Sequence, residues 1–188
     1  MLRHLPNALT LFRIGAIPVI AAFMAAGWHW MAFVLFLIAV ATDFLDGMAA
    51  RWLKQTSKLG VMLDPIADKV LAACILLVLT EEGVVHGWHL IPALIILARE
   101  VLVSGLREYL AGLSVSLPVT FAAKGKTAVQ FTALAALILA PALPVQSGTS
   151  LYVSGYVLLW IAAALTAVTG YAYFRAGWVH MDGEGKAE

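Results

Sequence analysis

The sequence predicts an all-α integral membrane protein of six transmembrane helices, with both termini in the cytoplasm. Three observations predict it. Of the 188 residues, 62% are hydrophobic and 12% charged, and the mean hydropathy is +0.92, whereas a soluble domain carries about a quarter charged residues. A membrane span needs roughly 20 apolar residues, and the chain has room for about six such stretches. The basic residues also alternate along the chain. The connectors Gly27–Trp30, Thr80–His89 and Pro141–Ser150 contain no Lys or Arg, and the twelve basic residues, Arg99 within the fourth span apart, lie near the termini, near the start of the first span, or in and beside the other connectors. The positive-inside rule then places both termini and the segment Asp43–Asp68 on the cytoplasmic side.

The first span is read at about Leu9–Ala26. With Arg3 before it and "AFMAAG" at its end it resembles a secretory signal, but Arg13 and Pro18 interrupt it and further spans follow at once. It reads as a retained helix. The second span is read at about Met31–Ala50 and the third at Ile66–Leu79, with the most polar stretch of the chain between them. The fourth, Leu90–Leu110, carries Arg99, Glu100 and Arg107. The fifth, Val119–Ala140, has Lys124 and Lys126 near its cytoplasmic start, and the sixth is Leu151–Phe174. Trp28, His29, Trp30, Trp88 and His89 fall at the far-side boundary and Trp178 near the opposite one, as an aromatic belt at headgroup level. The five histidines form no ligand-like spacing. Cys74 stands alone in a span, which excludes an internal disulfide and predicts an inert buried thiol. Residues 1–176 read as one membrane domain and 177–188, ending in "MDGEGKAE", as a short disordered tail. A net charge of +1 gives no expectation of a nucleic-acid partner.

Four aspartates stand beside hydrocarbon in "DFLDGMAARWLKQTSKLGVMLDPIAD". At about 100° per residue, Asp43 and Asp46 are neighbours on one helical face, and so are Asp64 and Asp68. Gly47 and Ala50 lie near the first pair, where small residues admit another backbone or a ligand. Pro65 suits the first turn of a helix with Asp64 near its N-cap. Asp43 and Asp46 are therefore expected to end one helix, and Asp64 and Asp68 to open the next. Four converging carboxylates repel one another unless they take up protons or bind cations. Arg51, Lys54, Lys58 and Lys69 could supply countercharge, which would make the stretch no more than a charged helix-capping loop. Paired carboxylates on consecutive helices also form a hard oxygen donor set suited to Mg²⁺ or Mn²⁺, with room for two ions. Such a site at the cytoplasmic interface suits metal-assisted phosphoryl chemistry on a lipid. One carboxylate left partly free could take a proton from an attacking hydroxyl.

The spacing Asp43-x2-Asp46-Gly47-x2-Ala50-Arg51-x8-Gly60-x3-Asp64-x3-Asp68 resembles the full signature of the CDP-alcohol phosphatidyltransferase family. The resemblance implies that family's six-helix fold, a homodimer, and two divalent cations, Mg²⁺ or Mn²⁺, on Asp43, Asp46, Asp64 and Asp68. It implies Asp68 as the general base, Gly47 and Arg51 against the CDP moiety, and Ser57 near the nucleotide. The stretch "LPNALTLFRIGAIP", with Asn7, Thr10 and Arg13, is similar to the N-terminus of the bacterial phosphatidylglycerophosphate synthase branch. "AREVLVSGLREYLA" and "AAKGKTAVQ" are similar to that branch's fourth span and start of the fifth. By this likeness Asn7 and Thr10 line the CDP-diacylglycerol pocket, and sn-glycerol 3-phosphate is the acceptor. The location implied is the bacterial inner membrane, with the active site facing the cytoplasm. Span six and the tail carry no such likeness.

On the fourth span, Glu100, Ser104 and Arg107 share a face. Intramembrane charges are functional by default or pair with one another, so Arg107 either pairs with Glu100 or binds the acceptor phosphate, for which guanidinium forks are suited. Arg99, Lys124 and Lys126 are the other candidates for that phosphate, although lysines at such a boundary also serve topology. Two rivals remain open. One keeps the chemistry and changes the acceptor to inositol phosphate, serine or phosphatidylglycerol. The other is a cation-coupled transporter, against which the aspartates' place at span edges counts, since transporters put such sites near the midplane.

Overall fold

Six long α-helices make up the chain in the computed structural model, which describes residues 5–53, 58–112 and 121–181. They are α1 (Leu5–Ala25), α2 (His29–Leu53), α3 (Lys58–Glu81), α4 (Leu90–Gly112), α5 (Phe121–Leu139) and α6 (Val145–Met181). Short 3₁₀ turns at Gly87–His89 and Ala140–Ala142 lead into α4 and out of α5. Among the described residues there is no strand. Helices α1, α4, α5 and α6 each contain an apolar window long enough to cross a bilayer, and α2 contains a shorter one, His29–Thr42. This all-helical architecture suits an integral membrane protein, because in lipid the backbone polar groups must be satisfied internally, as they are within an α-helix.

Two helix boundaries differ from the sequence expectation. Asp64 and Pro65 do not open α3; that helix begins at Lys58, so both lie within it, and Asp64 is not an N-cap. Likewise α2 continues to Leu53, leaving Asp43 and Asp46 inside it rather than at its end. Pro65 suits a first turn because it lacks an N–H; inside a helix it forfeits its own bond to the carbonyl four residues back and crowds that carbonyl, at a cost of about 3 kcal/mol, yet α3 runs through it. Helix α6 runs unbroken past residue 176 to Met181. Ser57 and the end of the chain from 182 lie outside the described residues.

Helix α1 packs on both α2 and α3, α5 on α2, α3 and α6, and α6 on α4. The buried residues of α1 recur at helical spacing, Thr10, Arg13, Ile17, Ile20 and Met24, which is the stripe a helix turns toward its neighbours. They meet a core that includes Phe36, Leu71, Ile75, Leu79, Ile96, Leu134 and Leu137. Phe36 of α2 and Phe131 of α5 meet edge to face at 6.0 Å, the arrangement favoured by the ring quadrupoles. Leu77, Leu94, Val101 and Val168 point outward, as residues facing lipid do.

Glycines set how closely α6 approaches its two partners. A Cβ at Gly148 would meet the Ala140 carbonyl oxygen at 2.9 Å, and one at Gly155 would meet the Leu137 side chain at 2.7 Å. Farther along, a Cβ at Gly170 would meet Arg99 Cγ at 2.8 Å, and one at Gly177 would meet Leu106 Cδ1 at 2.9 Å. Each pair is seven residues apart, two helical turns, so one half of α6 seats against α5 and its turn, the other against α4. At the end away from the aspartates, Tyr156 donates to the Val84 carbonyl at 2.6 Å and its ring stacks on His89 at 3.8 Å. These contacts fasten the α3–α4 connector, whose Gly83 (φ 71) and Gly87 (φ 52) occupy left-handed backbone.

Candidate active site

Backbone geometry carries the aspartates on two helices, Asp43 and Asp46 on α2 and Asp64 and Asp68 on α3. Within each pair the spacing is a single helical step. The side chains of Asn7, Asp43, Asp46, Gly47, Arg51, Asp64 and Lys124 lie outside the described ones. Among the described residues no group of three His, Cys, Asp or Glu side chains stands together. Asp68 is described, and its surroundings give the site its first fixed point.

Asp68 Oδ1 accepts a hydrogen bond from Arg13 Nη1 of α1 at 2.9 Å. Arg13 is fully buried and the Asp68 side chain is 32% exposed. A charge-assisted bond of this kind holds the carboxylate in one orientation. Thr10, one step before Arg13 on the same helical face, is also buried. Arg13 is the residue that sequence reasoning passed over as a site component. The available signal was a cation in the middle of an otherwise apolar first span.

The second fixed point is a cluster of charges from α3, α4 and α5. Glu100 of α4 pairs with Lys126 Nζ of α5, and more loosely with Arg99 Nη1 at 3.5 Å. It does not pair with Arg107, as its helical face suggested; Arg107 is exposed. Seven residues of helix rise about 10 Å, too far for a direct contact, whereas α5 brings Lys126 alongside. Lys126 is almost wholly buried, at 4% exposure. Lys69 of α3 is within electrostatic range of Glu100, Arg107, Asp68 and Arg99, and Lys126 senses Lys69 in turn. One carboxylate thus stands among several cations, and Lys69 joins that group to Asp68.

Arg99 reaches across to α6. Its Nη2 donates to Thr169 Oγ1 at 3.2 Å, and its guanidinium carbon lies 5.6 Å from the centre of the Tyr173 ring. Three of the residues expected to meet an acceptor phosphate, Arg99, Arg107 and Lys126, therefore gather around Lys69, which is also in electrostatic range of Asp68. Glu100 lies in the same group, and sequence reasoning assigned neither it nor Lys69 to the site. An excess of cations beside a carboxylate, at the ends of helices that hold two aspartate pairs, can bind an anionic group next to a proton acceptor.

Comparison with known proteins agrees with this chemistry. The family model described as CDP-alcohol phosphatidyltransferase matches residues 3–168. The chain is 45% identical to a CDP-diacylglycerol–glycerol-3-phosphate 3-phosphatidyltransferase of Rickettsia bellii over 178 residues, which cover 92% of this chain and 94% of the relative. It is 38% identical to proteins of the same name from Cereibacter sphaeroides, covering 96% and 98% of the two chains, and from Pseudomonas fluorescens, covering 98% and 95%.

Proposed function

We propose, from the premise that this chain belongs to the CDP-alcohol phosphatidyltransferase family, that it transfers the phosphatidyl group of CDP-diacylglycerol to sn-glycerol 3-phosphate. The products are phosphatidylglycerol phosphate and CMP, a step of phospholipid biosynthesis. The observation that carries the acceptor assignment is the cation group of Arg99, Lys126 and Lys69 within electrostatic range of one another, with Lys69 also in range of Asp68. A phosphorylated alcohol supplies an anion for those cations and a hydroxyl for Asp68. Serine, a zwitterion with a single carboxylate, offers them no phosphate.

In this reading Asp68 takes the proton of the acceptor hydroxyl. The hydroxyl oxygen then attacks the phosphorus on the diacylglycerol side of the pyrophosphate, and the bond from that phosphorus to the oxygen of CMP breaks. Arg13 holds Asp68 in place throughout. Asp43, Asp46, Asp64 and Asp68 would hold two divalent cations, Mg²⁺ or Mn²⁺, which when bound neutralise the pyrophosphate. The donor chemistry fits, being carboxylate oxygen without His or Cys. Gly47, Arg51 and Ser57, with Asn7 and Thr10 from α1, are assigned to CDP-diacylglycerol. Arg99, Arg107, Lys124 and Lys126 are assigned to the acceptor phosphate.

The remaining assignments belong to the same proposal. Six helices cross the bacterial inner membrane as one domain over about residues 1–176, with both termini and the active site on the cytoplasmic side. The support is the alternation of Lys and Arg between successive connectors. The protein acts as a homodimer, as the family resemblance implies.

Purified full-length protein, given CDP-diacylglycerol and each candidate alcohol in turn, tests the reading by CMP release. Release is expected with glycerol 3-phosphate. Release only with inositol phosphate, serine or phosphatidylglycerol would move the acceptor. No release with any alcohol, together with cation flux into vesicles, would favour the transporter.

A further inference from the structure

We infer that Thr169, Gly170 and Tyr173 of α6 are positioning residues for Arg99 and thereby help set the enzyme's affinity for its phosphorylated acceptor. The inference rests on the assignment of Arg99 to the acceptor phosphate given above. Three contacts converge on that one side chain. Thr169 Oγ1 accepts from Arg99 Nη2 at 3.2 Å, and the Tyr173 ring receives the guanidinium at 5.6 Å. At Gly170 the absent Cβ leaves the space that Arg99 Cγ and Nε fill, since a Cβ there would stand 2.8 and 3.4 Å from those atoms. Residues 169, 170 and 173 lie on one side of α6, at helical spacing.

The cradle holds Arg99 at some expense to the arginine's own bonding. Arg99 Nε is buried without a hydrogen-bond partner, and the bond to Glu100 is long at 3.5 Å. An arginine that only filled space or paired with Glu100 would settle where its donors are better satisfied. Here its stem is wedged against a glycine and its head is set between a hydroxyl and a ring. Thr169 is itself fixed, donating to the Leu165 and Thr166 carbonyls at 2.8 and 3.1 Å, and both Thr169 and Tyr173 are buried. A guanidinium held this way loses little freedom when an anion arrives, which is how preorganisation raises affinity.

The test is steady-state kinetics of the purified full-length enzyme, with glycerol 3-phosphate and CDP-diacylglycerol varied separately. Thr169→Val keeps shape and removes the accepting oxygen, and is expected to raise KM for glycerol 3-phosphate about 2- to 12-fold. Tyr173→Leu removes the ring and is expected to raise it about 2- to 30-fold. For these variants kcat and the KM for CDP-diacylglycerol stay within about twofold, the pattern of lost acceptor binding alone. In an Arg99→Ala background, Thr169→Val and Tyr173→Leu add nothing further. The inference is overturned if the substitutions raise acceptor KM equally in that background, or leave it unchanged where Arg99→Ala raises it. If Arg99→Ala itself leaves acceptor KM unchanged, Arg99 does not bind the phosphate, and both the assignment and the inference built on it are lost.

Discussion

Arg13 of α1 and Asp68 of α3 are joined by a 2.9 Å hydrogen bond between residues 55 positions apart in sequence. The guanidinium is fully buried, the carboxylate partly open. The carboxylate proposed as the base is thereby tied to a buried side chain.

Asp68→Asn is predicted to lower kcat by about 10²- to 10⁴-fold, the range for loss of a general base. Binding of CDP-diacylglycerol, measured by retention of radiolabelled lipid on the detergent-solubilised protein, is expected to persist. Turnover at the parent rate in this variant would remove Asp68 as the base.

Arg13→Met is predicted to lower kcat by about 10- to 100-fold, as loss of a residue supporting a site carboxylate does. The partial exposure of Asp68 lets water take over much of the lost bond, so the effect on folding is smaller than for a fully buried pair. CMP release and a thermal melt of the same sample separate the two effects. A large drop in melting temperature with kcat intact would assign Arg13 to stability alone.

Glu100→Gln leaves Lys126 buried without its carboxylate, and removing one partner of such a pair costs about 3–5 kcal/mol. The melting temperature should fall, and Lys126→Met added to Glu100→Gln should recover part of it. Failure of the second substitution to recover stability would mean that the pair is not coupled.

Chelation by EDTA is predicted to abolish CMP release, with recovery on adding Mg²⁺ or Mn²⁺ but not Na⁺. Asn in place of Asp43, Asp46 or Asp64 should raise the metal concentration needed for half-maximal rate. Undiminished activity after exhaustive chelation would remove the metals from the reading.

Glu82, in the α3–α4 connector, has a carboxyl raised above the usual range, first by burial and then by Glu81 beside it. Its folded form thus holds a proton more tightly than its unfolded form, so this group stabilises most at acidic pH. Its contribution is lost as pH rises from the ordinary Glu value, 4.5, through the raised folded value. Glu82→Gln should raise the melting temperature at pH 7 and flatten its fall across that window. An unchanged pH profile would mean that the carboxyl is solvated.

The all-helical, membrane-type architecture could be read from the sequence because apolar runs and turn residues alternate on the scale of whole spans. The aspartate pairs could be read because their spacing places each pair on one helical face. What escaped depends on contacts between helices. Pro65 is locally well suited to a helix start, yet α3 begins at Lys58. By face alone Arg107 is one candidate partner for Glu100, whereas the residue that pairs with it, Lys126, comes from α5. Arg13 stood out as an odd cation, but nothing near it in sequence names Asp68. The cradle on α6 was invisible for the same reason, since Thr169, Gly170 and Tyr173 matter only through an arginine 70 residues earlier.

The bond from Arg13 also has a consequence for how the protein is made. Synthesis runs from the N-terminus, so α1 reaches the bilayer bearing a guanidinium whose partner on α3 is 55 residues from being made. An arginine at mid-span disfavours insertion by about 2.5–3.5 kcal/mol. The first helix is therefore a reluctant one until the third arrives beside it. Capture of α1 by Asp68 then completes its insertion, so a chain truncated before α3 should leave its own first helix poorly held in the membrane.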